Sequence, residues 1–408
     1  MTASSTSGLR DTFRALRHPQ FRAFWLTSFV SNTGLYAQDI AQGWLVLEMT
    51  GSAEWLGVAA AARTLPALVL SPLGGVYADR WNRRLALGVY QACLTLCTAV
   101  LALLVSLGAV RPWHFVAAAI VTGAGNALSQ PTNSSLVKDL LPAEDLVSGV
   151  TLYVQQVQIA RTVGPLIASG IFWFSSVEYG FHFNALSYVP LVVFCFAGRT
   201  PRASAARPAA RQSVFGSMVD GAIYAGSTPR LLVLLQVSAI ATLGLFILPT
   251  LLPVANRELG GSAHQLAYLN GVAGLSAVIG ATLVPLLLER FHWAAVLRVS
   301  LIGSGLALLA LTVPRGTAVV FALTALQGGA GIAVWVVITA MLQRAVSDEY
   351  RGRVLSLNTL ALGVGTMLGN LGSGVLTERS GLSVAFLALA AVMIVALVPL
   401  LARLHDRE

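Results

Sequence analysis

The chain is predicted to be an all-α membrane protein with about twelve transmembrane helices in two pseudo-symmetric six-helix halves. Three observations predict this fold. Charged residues make up 11% of the 408 positions and hydrophobic residues 56%, against about 25% charged in an ordinary soluble domain. The mean hydropathy is +0.75, so too few polar groups exist to cover a surface in water, and lipid must solvate most of it. The apolar residues also fall in long Leu-, Ala- and Val-rich runs. Such runs suit helices of about 20 residues better than the short alternating strands of a barrel. Helices satisfy their own backbone groups in hydrocarbon, where open sheets do not.

The stretches lie at 23–48, 54–78, 85–108, 113–137, 148–175 and 181–198, and then at 230–255, 265–288, 293–313, 316–342, 354–377 and 381–402. The break between the sixth and seventh divides the chain into an N-terminal half, 1–198, a cytoplasmic linker, 199–229, and a C-terminal half, 230–408. The linker begins rich in Arg, Pro, Ala and Ser. It then places Phe215, Met218, Val219, Ala222 and Ile223 at helical spacing, which predicts an amphipathic helix on the cytoplasmic face. Its role is either to couple the halves or to act as a tether.

Charge sets the orientation. Counting loops from a cytoplasmic N-terminus, the inner side collects Arg80, Arg83 and Arg84, then Arg199, Arg202, Arg207 and Arg211, then Arg344, Arg351 and Arg353. The outer loops hold Arg111, Arg257, Arg315 and Arg379. This bias places both termini in the cytoplasm, and the high Arg-to-Lys ratio with Ala-rich helices suggests a bacterial inner membrane. The formal charge of +9 is spread over these loops, so no nucleic-acid partner is expected. The residues Met1–Gln20 are polar and basic without an apolar core, so no signal peptide is read there.

Several chemistries are excluded. The single lysine, Lys138, follows Val137, so no Gly-Lys phosphate loop exists. Cys93, Cys97 and Cys195 lie in apolar runs and read as packing residues, with no disulfide framework. No Cys/His metal spacing occurs, and Gly303-Ser304-Gly305 is only part of a nucleophile motif inside an apolar run. No metal, cofactor or catalytic residue is expected, and the chain is not expected to be an enzyme.

Two motifs carry mechanism. Between the second and third stretches stands Gly75-Val-Tyr-Ala-Asp79-Arg80-Trp-Asn82-Arg83-Arg84. Gly75 permits close helix approach, and Asp79 sits among arginines that favour its charge. Asn82 suits a left-handed turn. In the fifth stretch, Arg161-Thr-Val-Gly164-Pro165-Leu-Ile-Ala-Ser169-Gly170 sets a proline beside glycines. A second glycine cluster, Gly363, Gly365, Gly369, Gly372 and Gly374, marks the eleventh stretch.

The first motif resembles the loop signature G-x-x-x-D-R-x-x-R-R of the major facilitator superfamily. The second resembles, in degenerate form, the fifth-helix motif of that family's exporters. Phrases such as Ala41-Gln-Gly-Trp-Leu-Val-Leu-Glu-Met-Thr-Gly-Ser52, Phe183-Asn-Ala-Leu-Ser187 and Arg351-Gly-Arg-Val-Leu-Ser356 are similar to the bacterial subgroup of enterobactin and macrolide exporters. The resemblance spans nearly the whole chain. It implies a secondary transporter, a monomer, working by alternating access in the lipid bilayer. It also implies a cytoplasmic latch in which Asp79 and Arg83 bridge to the start of the eleventh helix, near Arg353 to Asn358. Export of a small amphipathic molecule, such as a drug or siderophore, against inward protons is the reading it favours. An importer or uncoupled facilitator of the same fold, or a non-transporting receptor, stays open.

Charges inside apolar stretches are expensive and mark pathways or partners. Asp39, Arg63 and Arg161 are the proton-coupling candidates. Asp39 and Arg63 each lie about nine residues from the outer ends of their stretches, at a depth of about 13 Å, so they can meet. The alternative is a structural ion pair that never changes charge. The cavity candidates are Asn126, Gln130 and Asn133 with Ser129 and Thr132, then Gln155 and Gln158 with Gln156, and in the second half Gln236, Asn270, Gln327, Trp335 and Asn358.

Overall fold

The structure is a computed structural model. It describes residues 13–80, 82–198, 214–245, 247–313, 316–347 and 349–396, with backbone alone at 71–80, 214, 215, 217, 218 and 396. The side chains of Gly75, Asp79, Arg80, Phe215 and Met218, the linker at 199–213 and the last residues of the 381–402 stretch lie outside the described residues.

Every described regular element is helical. After a 3₁₀ turn at Arg14–Arg17 come α1 (Pro19–Thr50), α2 (Ala53–Arg80), α3 (Arg83–Ser106), α4 (Pro112–Leu140), α5 (Leu146–Phe174) and α6 (Tyr179–Ala197). Next are α7 (Val214–Ser227), α8 (Pro229–Leu245), α9 (Leu248–Glu258), α10 (Ala263–Arg290), α11 (Trp293–Ala310), α12 (Thr317–Ala345), α13 (Arg351–Ser380) and α14 (Leu382–Ala391). The stretch 230–255 is therefore two helices, α8 and α9. Among the described residues, nine helical spans are long and apolar enough to cross a membrane. Helices α1 and α4, though 32 and 29 residues long, are not among them. Both carry amides, hydroxyls or charge along their length, which lowers their hydropathy.

The chain forms two compact units. Unit 1 is Met1–Gln42 with Val69–Arg211, and unit 2 is Gly43–Leu68 with Gln212–Glu408. Helices α1 and α2 thus each contribute to both units, a division that differs from cuts made only at the central linker.

Unit 1 packs α3 against α4 and α6. A cluster of Phe24, Leu87, Leu136, Leu152, Tyr153 and Leu191 fills its core. Arg84, buried at the start of α3, donates from Nε to the Phe194 carbonyl at 3.1 Å and lies 4.1 Å from the centre of the Phe194 ring. Asn82 has φ −59°, and its side chain accepts from the amides of Arg84 and Leu85. It works as an N-cap, not through left-handed backbone as the sequence suggested. The 3₁₀ turn is anchored by Arg14 and His18, 2.8 and 2.7 Å from the buried Asp145 carboxylate.

Unit 2 packs α10 and α11 against α12, and α13 against α7 and α8. Glycine carries several of these crossings. The turns next to the first helix reversal, at Gly51 with φ +66°, cross α13. A methyl at Gly57 would lie 2.6 Å from the Asn370 carbonyl oxygen, closer than side chains approach. Glu378 accepts from the Ala53 amide at 2.9 Å, a carboxylate at a helix N-terminus where the dipole favours it. Arg257 reaches the Leu47 carbonyl at 3.3 Å. Helix α7 is docked, not merely laid on a surface. Gly221 meets the Arg353 side chain, Asp220 pairs with Arg353 at 3.6 Å, and Tyr224 stacks on Tyr350 at 4.2 Å. Its Val219 and Ile223 remain exposed.

Candidate transport pathway

In unit 1, two buried polar bonds hold α1. Asn184 of α6 donates to Gln38 at 2.8 Å, and Gln91 of α3 donates to Ser31 at 2.8 Å. All four side chains are buried. A methyl at Gly34 would strike Ser187 and Asn184, so α1 and α6 approach closely just beside that bond. On the other side, a methyl at Gly164 would lie 2.7 Å from the Thr33 carbonyl oxygen. The glycine of the fifth-helix motif is thus a contact with α1, while a methyl at Gly170 meets nothing within 4 Å. Pro165 lies inside α5.

Asp39 is half-buried in the part of α1 belonging to unit 1, one residue from Gln38. Arg63 is half-buried in the part of α2 belonging to unit 2. Arg161 lies exposed near the middle of α5. On α4, Asn126 and Asn133 are half-buried and Gln130 exposed, spaced along one helix face. On α5, Gln155 is exposed and Gln158 half-buried.

In unit 2 the expected cavity residues part company. Gln236 is exposed. Asn270 turns back to donate to the Leu266 carbonyl at 2.9 Å. Gln327 is buried, accepting from Ser304 at 2.7 Å and facing the Gly244 carbonyl at 3.5 Å. This ties α12 to α11 and α8, and it gives the serine of Gly303-Ser304-Gly305 a packing role. Asn358 is buried. Trp335 lines a pocket with Ser238, Ala241, Thr242, Leu245, Val334, Ile338 and Leu362. That wall is apolar except for two hydroxyls and the indole. Sequence reasoning singled out Trp335 alone from it, because aliphatic residues of α8 carry no distinctive signal.

The motif arginines are placed within unit 1. Arg83 donates to Asp139 at the end of α4 at 2.7 Å, and Arg84 anchors to α6 as described. Sequence reasoning missed Ser31, Gln38, Gln91 and Asn184. Asn184 and Ser187 do lie in the phrase Phe183-Asn-Ala-Leu-Ser187, and a polar pair inside an apolar run was the available signal.

The comparisons agree with this architecture. The transmembrane secretion effector family matches residues 10–408. The staphyloferrin A transporter of Staphylococcus aureus is 25% identical over 338 residues, 82% of this chain and 84% of that one. The multidrug efflux pump Tap of Mycolicibacterium fortuitum is 25% identical over 379 residues, 87% and 88% of the two chains. Among solved structures, a bacterial homologue of the human lysosomal transporter Spinster superposes with a TM-score of 0.77 at 14% identity, over 95% and 97% of the chains. The nucleoside transporter NupG superposes with a TM-score of 0.74 at 15% identity, over 94% and 98%. Full-length family coverage and a shared all-helical fold place the chain in the transmembrane secretion effector family, as a membrane transporter of the major facilitator type.

Proposed function

We propose that this chain is a proton-coupled exporter of a small amphipathic molecule. Twelve transmembrane helices form two six-helix halves that alternate access to a midplane cavity. Both termini face the cytoplasm of the inner membrane. Asp39 carries the proton, with Arg63 or Arg161 tuning it, and the substrate leaves as the proton enters. The observation that carries this reading is the setting of Asp39. A carboxylate within a membrane helix is costly, and this helix is held by buried polar bonds at Gln38 and Ser31 rather than by grease alone.

Two relatives support the substrate class, one being a siderophore transporter by name and the other a multidrug efflux pump. The wall around Trp335 suits an apolar moiety, and the α4 amides suit a polar one. The test is proton flux in sealed liposomes holding a pH dye, with siderophores, macrolides and lipophilic dyes added in turn. Substrate-dependent proton movement that Asp39→Asn abolishes is the expected result. Substrate flux with no proton movement, unchanged by Asp39→Asn, would overturn coupling and leave a facilitator.

A further inference from the structure

Gln156 is the anomaly of unit 1. It is 0% exposed, and neither its amide oxygen nor its amide nitrogen has a hydrogen-bond partner. Buried amides are almost always paired, because an unmade bond forfeits the water the group had outside the fold. Lipid around the unit makes that loss harder to relieve.

Packing contacts show what stands at the same level. Trp25 donates to the Leu152 carbonyl at 2.9 Å, Phe24 stacks on Tyr153 at 5.9 Å, and Gly164 lies against Ala37. Helices α1 and α5 therefore run parallel, with Ser28 level with Gln156. Gly149 faces Val137 and Leu141, and the Asn133 amide faces the Tyr153 hydroxyl. Helix α4 runs antiparallel to α5, bringing Ser129 and Asn133 to the same height. The Ser28 and Ser129 hydroxyls and the Asn133 Oδ1 are also buried without a partner. The unpaired atoms of Gln156, Ser28 and Ser129 and the free Oδ1 of Asn133, from three helices, thus stand on one level.

We propose that Gln156, Ser28, Ser129 and Asn133 enclose ordered water, forming a built-in hydration site in unit 1. The donor set selects the ligand. A cation would satisfy the oxygens but oppose the Gln156 amide nitrogen, which needs an acceptor. Water both donates and accepts, and buried waters make about three bonds each to such groups. The site stands independently of proton coupling. Ser28 and Asp39 lie eleven residues apart, three helical turns, and so share a face of α1.

Hydroxyl-radical footprinting of the full chain in lipid nanodiscs tests this, since radicals made by X-rays on bound water modify side chains next to it. Phe24 is the reporter, one turn before Ser28 and 0% exposed. Phe115 and Phe181 are equally buried, with rings 6.1 Å apart, and serve as dry controls of the same residue type. Phe24 is expected to be modified severalfold faster than either control if water sits beside it. Gln156→Leu, which keeps side-chain bulk and removes both amide atoms, is expected to bring Phe24 down to the control rate. Should that variant fail to fold, Ser28→Ala tests the same point. Protection of Phe24 equal to that of Phe115 and Phe181 would overturn the site, as would labelling that neither substitution changes.

Discussion

Both units join their helices with polar bonds and with glycine, but glycine pressed on a neighbouring backbone is commoner in unit 2, where Gly57, Gly280, Gly328, Gly365 and Gly374 do this, than in unit 1, where Gly164 does. In unit 1 the polar joints include Gln38–Asn184, Ser31–Gln91, and Arg84 on the Phe194 carbonyl. In unit 2 the glycine joints include Gly57 on Gly374, Gly280 on Gly329, and Gly328 on the Ala273 carbonyl. Hydrogen bonds specify one arrangement of their partners, since breaking them strands polar groups in an apolar setting. Glycine contacts depend on close approach and dispersion, and they specify distance more than direction. The difference is one of weight: the α1 crossings in unit 1 add directional bonds to glycine contacts, while unit 2 relies on close backbone approach at more of its crossings.

The sharpest break of this contrast is at the glycine crossing. Gly57→Val forces a side chain into the Asn370 backbone, and overpacking costs typically about 1–3 kcal/mol. Thermal unfolding in detergent should show a marked fall in melting temperature, while Gly372→Val, where a methyl meets nothing within 4 Å, should change little. Equal effects at both positions would mean that shape does not hold unit 2.

The polar joints predict a different pattern. Gln38→Leu strands the Asn184 amide and should cost about 1–3 kcal/mol, whereas adding Asn184→Leu should recover much of it, because no unpaired group remains. A purely additive double variant, measured by the same melts, would show that the bond does not couple the two helices. Smallest is the cap. Asn82→Ala should cost about 1 kcal/mol through lost bonds to the first turn of α3, with Asn82→Asp retaining most of the stability. Loss in Asn82→Asp as large as in Asn82→Ala would assign Asn82 another role.

Much of this was legible in the sequence. Low charge and long apolar runs imply helices in lipid, because hydrocarbon leaves the backbone no other solution. The motif at Asp79 to Arg84 and the phrase around Asn184 carried the family resemblance. The linker helix was also readable from its periodicity, though not its docking by Asp220 and Tyr224 onto Arg353 and Tyr350. Side-chain roles were harder. Gln327 and Gln236 look alike in sequence, yet Ser304 takes up the first and the second stays exposed. Gly164 and Gly170 stand in one motif, and only Gly164 meets another helix.

What the sequence by itself determined is how much of each segment belongs in lipid. Transfer free energy is a sum over residues and needs no partner. Tertiary structure alone decided which polar groups meet, which glycines are pressed against backbone, and that Gln156, Ser28, Ser129 and Asn133 each bury a polar atom without a partner. Those outcomes depend on the rotation and register of each helix against its neighbours, and a helix face acquires its meaning only from the surface opposite.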